Sequence, residues 1–300
     1  MLKSQIKYIW KAHITNWWWK NRSHRHAVRK CAFAEKNIDY LSKYLSFIKD
    51  VKPQAGKPSD ADSEELVFSL WLQGEENAPE IVKKCLNSQR KYYKDKLIVL
   101  DENTISDYVD IPDYIWDKWK RGEMSAAHFS DIVRIELLSK YGGYWCDATG
   151  FIIQDMPDEI KQSDFFMFCA PPNYFPHACG QNFFIRAKKG SPLLDMWKQV
   201  VYHYWENEDT AITYYLVQLL FRMLVTYNDE AKRCYEKMVK IPIDHTYLLW
   251  YKYGNSNFSE LMVEEMKKKS FFQKCSYKPK VGIVRDIIPG SMADYVINKN

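Results

Sequence analysis

From residue 65 onward, short apolar runs alternate with helical stretches, and this alternation limits the possible folds more than any other feature of the chain. Val67 to Trp71 is apolar and ends in Gln73-Gly74, which predicts a strand followed by a turn. Pro79 predicts a helix start, where its missing N–H costs nothing. Lys96-Leu97-Ile98-Val99-Leu100 reads as a buried strand, and Asp101 and Asn103 as the turn after it. Helices are predicted near 104–109 and 112–120, and a longer one over about 125–140 that Gly142-Gly143 stops. Tyr144-Trp145-Cys146 begins another strand, with further strands over 150–153, 164–169 and 182–187 and a long apolar helix over 210–226. Such alternation predicts an α/β layer built on a mostly parallel sheet. Ligands in these sheets lie beyond the carboxyl ends of the strands. The sequence holds no internal repeat, Walker lysine loop or GxGxxG.

A chain of 300 residues suffices for one sizeable catalytic domain and an appendage. Charge marks where the appendage lies. Residues 1–50 hold 11 of the 43 Lys and Arg but only 3 of the 38 Asp and Glu, so the remaining 250 residues are slightly acidic. We read residues 1–60 as a basic, Trp-rich helical extension with its linker, and 61–300 as the catalytic domain. The extension carries Ile6, Ile9, Trp10, Ile14 and the run Trp17-Trp18-Trp19 among Lys and Arg. Trp beside basic residues suits an anionic membrane surface. Packing of the same helices on the body is the plainer alternative. Nothing nucleic-acid-specific accompanies the charge, so no nucleic-acid partner is expected. The seven cysteines are odd in number and form no CxxC pair. With no secretory leader and no run of about 20 apolar residues, they predict a reducing cytosol and free thiols.

The chemistry concentrates in residues 125–149. Asp131 and Arg134 are three apart on the predicted helix and so share a face, with His128 one turn earlier. Their neighbours are mostly Ile, Val, Leu and Ala, so this helix is buried and a charged pair within it needs a partner or a ligand. A structural ion pair would satisfy that need, as would a bound substrate. Asp147 favours the substrate. It follows a glycine-stopped helix and an aromatic strand, at a strand's carboxyl end, where a carboxylate can hold Mg²⁺ or Mn²⁺ against a diphosphate.

These residues resemble the capsular polysaccharide synthesis glycosyltransferases. That family is similar in turn to the retaining GT-A transferases with a DXD sugar-binding region, among them yeast mannosyltransferases and the clostridial glucosylating toxins. The resemblance covers roughly residues 65–280. It is carried most specifically by Ser130-Asp131-Ile132-Val133-Arg134 and by Tyr141-Gly142-Gly143-Tyr144-Trp145-Cys146-Asp147-Ala148-Thr149. It implies a GT-A-like, Rossmann-type nucleotide-binding domain with an N-terminal helical extension. It implies that Trp71, with Gln73 and Gly74, receives the nucleotide base, and that Ser130, Asp131 and Arg134 bind the donor sugar. It places Trp145, Asp147 and Ala148 on the donor, Asn182 near the reacting sugar and Lys274 near the diphosphate. Asp147, Asn182 and Arg134 are the expected catalytic residues. Asp147 and Thr149 are the expected ligands of a divalent cation, Mn²⁺ or Mg²⁺. Thr149 stands where the second aspartate of DXD would be, so it offers a neutral hydroxyl in place of a charge.

The resemblance further implies transfer of a hexose, galactose or glucose, from a UDP-sugar with retention of configuration. A lipid-linked precursor of a capsular or cell-surface polysaccharide is the expected acceptor, reached by a cytoplasmic protein at the inner face of the membrane. Two other classes compete with this reading. One is a non-catalytic sugar-nucleotide or glycan-binding protein, which the missing second aspartate suggests. The other is a protein that uses its basic arm to bind anionic surfaces.

Overall fold

The computed structural model describes residues 34–54, 65–170, 178–278, 284 and 286–298. The Trp-rich part of the extension, with Ile6, Ile9, Trp10, Ile14, Trp17, Trp18 and Trp19, lies outside the described residues, as do residues 55–64, where the expected linker meets the catalytic domain. Residues 34–41 are helical and lead through a tight turn into α1 (Leu45–Asp50). The body then follows as β1 (Val67–Leu70), α2 (Glu80–Tyr93), β2 (Leu97–Leu100), α3 (Asp113–Lys120) and α4 (Ala126–Tyr141). It continues through β3 (Gly143–Cys146), β4 (Gly150–Ile152), β5 (Phe165–Cys169), β6 (Gly180–Ala187), α5 (Pro192–Asn207), α6 (Leu216–Tyr227) and β7 (Phe272–Lys274).

The five-stranded sheet runs β2-β1-β3-β6-β5. β1 pairs in parallel with β2 and with β3, whereas β6 pairs antiparallel with both β3 and β5. Four of the five strands therefore point one way, giving the mixed α/β layer with a mostly parallel sheet that the alternation predicts. The reversed β6 has a simple cause. It follows β5 after only ten residues, fewer than a parallel crossover needs. β1 and β3 are buried at every position, which explains why, Ser69 apart, they are built of apolar and aromatic residues and glycine.

Gly142 and Gly143 fix where α4 ends and β3 begins. Both have positive φ, +70° and +88°. A Cβ on Gly143 would lie 2.4 Å from the Leu66 carbonyl oxygen, so only glycine fits against that backbone. The amide of Tyr144 donates to the same carbonyl at 2.8 Å, which docks β3 beside β1.

No helix is predicted over 192–207, yet α5 occupies that stretch. Pro192 sits in its first turn, and Leu193, Leu194, Met196, Trp197, Val200, Val201, Tyr204 and Trp205 are buried at helical spacing. α6 begins at Leu216, later than the predicted 210. Tyr204 accounts for the delay: its hydroxyl donates to the Thr210 carbonyl (2.8 Å) and accepts from the Ile212 amide (3.2 Å), holding this stretch as a loop.

Residues 34–54 pack on the body. Leu41, Tyr44, Ile48 and Val51 share the main core with α5 and α6. Asn228, almost fully buried, clips this segment down. Its amide donates to the carbonyls of Ile48 (3.2 Å), Lys49 (3.0 Å) and Val51 (2.9 Å), and its oxygen accepts from the Ala231 amide (3.0 Å). Asn228→Ala strands these buried carbonyls, so urea unfolding of the variant should show a loss of about 2–4 kcal/mol. An unchanged midpoint would mean that the clip contributes nothing.

Candidate active site

Asp147 follows directly on β3 and is tied to three elements. Its amide donates to the Phe183 carbonyl of β6 at 2.8 Å, and its carbonyl accepts from the Gly150 amide at 2.7 Å. Gln89 of α2 donates its side-chain amide to the carbonyls of Asp147 (3.0 Å) and Gly150 (2.9 Å). β4 then pairs antiparallel with β7 in a register that sets Gly150 opposite Lys274. The Cys275 amide donates to the Thr149 carbonyl at 2.9 Å. The chain thus brings Lys274 back over the turn that carries Asp147 and Thr149.

One polar network joins most of the residues singled out from the sequence. The Arg134 guanidinium lies 3.2 Å from Asp131 Oδ1 and 3.6 Å from Asp147 Oδ1. It also donates to the Asn182 carbonyl (2.6 Å) and to the Ser130 hydroxyl (3.0 Å), and it stacks 4.7 Å from the Trp145 ring centre. The Trp145 indole N–H donates to Asp147 Oδ1 at 2.8 Å. The Asn182 side-chain amide donates to Asp131 Oδ1 at 2.7 Å. The Lys274 ammonium donates to Asp147 Oδ2 at 2.5 Å and to the Thr149 hydroxyl at 2.7 Å. Asp131 and Arg134 do form the ion pair that their spacing allows, and that pair opens onto Asp147.

Burial sets the two carboxylates apart. It pushes Asp131 up to about 7, with Arg134 opposing, Asp147 adding to the rise and Asn182 opposing. Burial acts in the same sense on Asp147, but Lys274 and Arg134 outweigh it and hold that carboxyl below its ordinary range. Asp147 is therefore ionised throughout the neutral range, whereas Asp131 gains its charge near pH 7. Ionised Asp131 is the stronger acceptor for a sugar hydroxyl. Donor kcat/KM should then rise about tenfold per pH unit up to pH 7 and level off above it. Asp131→Asn should flatten that limb, and an unaltered limb would assign it to another group. Stability runs the opposite way. Asp131's contribution is full below its unfolded pKa of about 3.9 and is lost as pH rises through about 7.

The remaining expected residues sit around this network. Trp71 lies at the carboxyl end of β1, with its amide on the Leu100 carbonyl (2.9 Å) and its ring edge-on to Tyr277 at 5.1 Å. Its indole N–H is buried and has no hydrogen-bond partner among the described residues. Gly74 closes the turn after Trp71 with φ +81°, its amide donating to the Trp71 carbonyl at 2.9 Å, while Gln73 is exposed. Ala148 is buried against α2, with Val82 and Leu86. His128 does not join Asp131. Its ring nitrogens lie 2.9 Å from the Ser125 hydroxyl and 3.2 Å from the Thr213 carbonyl, and burial lowers its pKa.

Three supporting residues are not among those expected from the sequence. Gln218 of α6 donates to the Asn182 side-chain oxygen at 2.9 Å and so sets the amide orientation toward Asp131. It is the lone polar residue between Leu216 and Val225 apart from Arg222, which is the signal that could have found it. Gln89 is another, masked by its place on an amphipathic helix. Tyr214 is the third. It is exposed at the rim, and burial of its hydroxyl together with the charges of Asp147 and Asp131 pushes it up to about 12.

The donors expected to hold a divalent cation are already engaged by other groups of the chain. Asp147 Oδ1 already accepts from Trp145 and faces Arg134, and Oδ2 and the Thr149 hydroxyl both receive the Lys274 ammonium. Among the described residues no group of three His, Cys, Asp or Glu comes together as a metal set. No helix among them is long and apolar enough to cross a membrane. The six described cysteines are free thiols.

Part of the chain is 28% identical over 162 residues to the O-glycosyltransferase braB of Annulohypoxylon truncatum, covering 48% of this chain and 38% of that one. It is 25% identical over 176 residues to the glycosyltransferase afumC of Aspergillus fumigatus, covering 51% and 44%. It is 26% identical over 174 residues to the O-glycosyltransferase PaGT of Phomopsis amygdali, covering 52% and 42%. The chain thus spans less than half the length of these curated relatives. The solved PaToxG glycosyltransferase aligns over 70% of this chain and 84% of its own at 14% identity and a TM-score of 0.39, too distant to carry an argument. The model of the capsular polysaccharide synthesis protein family matches residues 15–294, nearly the whole length, and the chain belongs to that family.

Proposed function

We propose that this chain is a retaining α-glycosyltransferase that moves a hexose, galactose or glucose, from a UDP-sugar to a lipid-linked precursor of a capsular or cell-surface polysaccharide. The observation that carries the proposal is the convergence of Asp131, Arg134, Asn182, Asp147 and Lys274 in one hydrogen-bonded network at the carboxyl end of β3. A structural ion pair needs two of these residues, not five. Family membership and the glycosyltransferase names of the relatives support the same class of reaction.

In this reading Trp71 and Tyr277 receive the uracil, and the unpartnered Trp71 indole N–H meets a polar atom of the nucleotide. Asp131, Arg134 and Asn182 hold hydroxyls of the hexose, and Lys274 faces the diphosphate. The bond from C1 to the β-phosphate oxygen breaks, and its electron pair leaves with UDP. The acceptor hydroxyl attacks C1 from the same face, and its proton passes to the departing phosphate oxygen. The separate acid and base carboxylates of a glycosidase are then unnecessary. Lys274 and Arg134 stabilise the charge that builds on the leaving group. The acceptor would be reached at the inner membrane face, where the basic residues preceding 34 would meet anionic lipid.

Proton NMR of the sugar released when water replaces the acceptor tests the reading. The α anomer should appear first from UDP-galactose or UDP-glucose. The β anomer appearing first would replace front-face attack with inversion. Release from no UDP-hexose, with no binding of UDP, would leave the cleft as a binding site for some other ligand.

A further inference from the structure

We infer that Lys274 occupies the seat that a divalent cation takes in a DXD site, and that donor cleavage in this chain runs without a metal. The inference rests on the reading of the cleft as a UDP-sugar site. The ammonium lies 2.5 Å from Asp147 Oδ2 and 2.7 Å from the Thr149 hydroxyl, so it bridges the first and third positions of the Asp-Ala-Thr motif. Mg²⁺ binds oxygen at about 2.0–2.1 Å. A metal on this pair of oxygens would have to displace the ammonium.

The rest of the site makes that displacement unfavourable. Lys274 is not a swinging surface residue. It ends β7, whose pairing fixes it opposite Gly150, and the next amide is bonded to the Thr149 carbonyl. Its side chain is largely buried and passes over the Phe183 ring at 5.3 Å. Asp147 cannot offer its other oxygen, which the Trp145 N–H and Arg134 already hold. The charges also balance without a metal. Asp131 and Asp147 face Arg134 and Lys274, two carboxyls against two cations. Before a donor brings its diphosphate, a dication added to this set would leave excess positive charge in a buried place.

Threonine at 149 fits this arrangement. A second carboxylate there would strengthen the site for a metal, whereas a hydroxyl adds no charge and completes a hydrogen bond to an ammonium. An ammonium has three N–H groups, and Asp147 and Thr149 take two of them. The third can turn to a β-phosphate oxygen. There it stabilises the electron pair left by the breaking C1–O bond, by hydrogen bond and charge and without giving up its proton.

The test uses the full chain as wild type, Lys274→Ala and Lys274→Arg, with two readouts. The first is UDP release from the accepted UDP-hexose after exhaustive chelation, with and without Mn²⁺. The second is Mn²⁺ binding followed by electron paramagnetic resonance in the absence of donor. Chelation should leave the wild-type rate within about twofold, and the wild type should leave added Mn²⁺ free. Lys274→Ala should lose about a hundredfold or more under chelation. It should bind Mn²⁺ through the oxygens it frees and recover more than about tenfold when the ion is added. Lys274→Arg, which keeps a cation in the seat, should still refuse the ion. A wild-type rate that falls more than about tenfold on chelation and returns with Mn²⁺ overturns the inference. So does stoichiometric Mn²⁺ binding by the wild type that Asp147→Ala abolishes. If no UDP-hexose is turned over, the functional reading fails and the resonance titration alone decides who holds the seat.

Discussion

Asp147→Ala should lower kcat/KM for donor turnover about a thousandfold, with the loss falling on kcat. The carboxylate holds three groups at once: the Trp145 indole, the Arg134 guanidinium and the Lys274 ammonium. Without it, both cations lose the anchor that aims them at the breaking bond. UDP affinity should change little, because removing a negative charge beside a diphosphate offsets the lost order of Lys274. Asp147→Asn separates charge from shape. Its oxygen can still accept from Trp145, but it gives Lys274 no ion pair. An intermediate loss, nearer to Ala than to wild type, is the expected outcome. Activity of Asp147→Ala within about twofold of wild type would remove Asp147 from the reaction.

Arg134→Ala should be the most damaging single change at the site, because it acts on stability and on chemistry together. The guanidinium is buried and holds Asp131, Asp147, the Asn182 carbonyl and the Ser130 hydroxyl in register. Its loss leaves Asp131 as a buried carboxyl without its countercharge, at a cost of about 3–5 kcal/mol. Lysine will not repair this, since a single ammonium cannot reproduce the planar fork across four partners. A second substitution should separate the two effects. Asp131→Asn in the Arg134→Ala background should recover about half of the lost stability or more, while activity stays lost. Recovery of activity in the double variant would show that the pair is only a structural ion pair.

The sequence makes the layout of the sheet legible where apolar runs have hard edges. β1, β2 and β3 are bounded by Gly74, the Asp101 turn and Gly142-Gly143; at the glycines the edge is a positive-φ backbone requirement, and at Asp101 it is a side chain that accepts from the Asn103 and Thr104 amides. The reversal of β6 is less local, since it depends on which neighbour the strand finds after a short connection. α5 carries a helical period of buried residues and a proline in its first turn, so its signal is present in the sequence. The late start of α6 is not legible in the same way, because Tyr204 holds residues 210–212 from another helix. The site divides along the same line. Asp131, Arg134 and Asp147 stand within one stretch, where spacing along a helix and a strand end bring them together. Lys274 is 127 residues from Asp147, and only the resemblance points to it. The β4–β7 register sets it opposite Gly150, from where its side chain reaches Asp147 and Thr149. Gln218 stands out as a polar residue in an apolar run, though its partner lies on another element, whereas nothing local distinguishes Gln89, on an amphipathic helix, from a solvated residue.

Whether this cleft cleaves a nucleotide-sugar is decided by UDP release from a panel of UDP-hexoses in the absence of acceptor. Slow release from one donor, UDP-galactose or UDP-glucose, is expected, and it should be lost in Asp147→Ala and in Arg134→Ala. Release from no donor, together with no thermal shift on adding UDP, would contradict such cleavage.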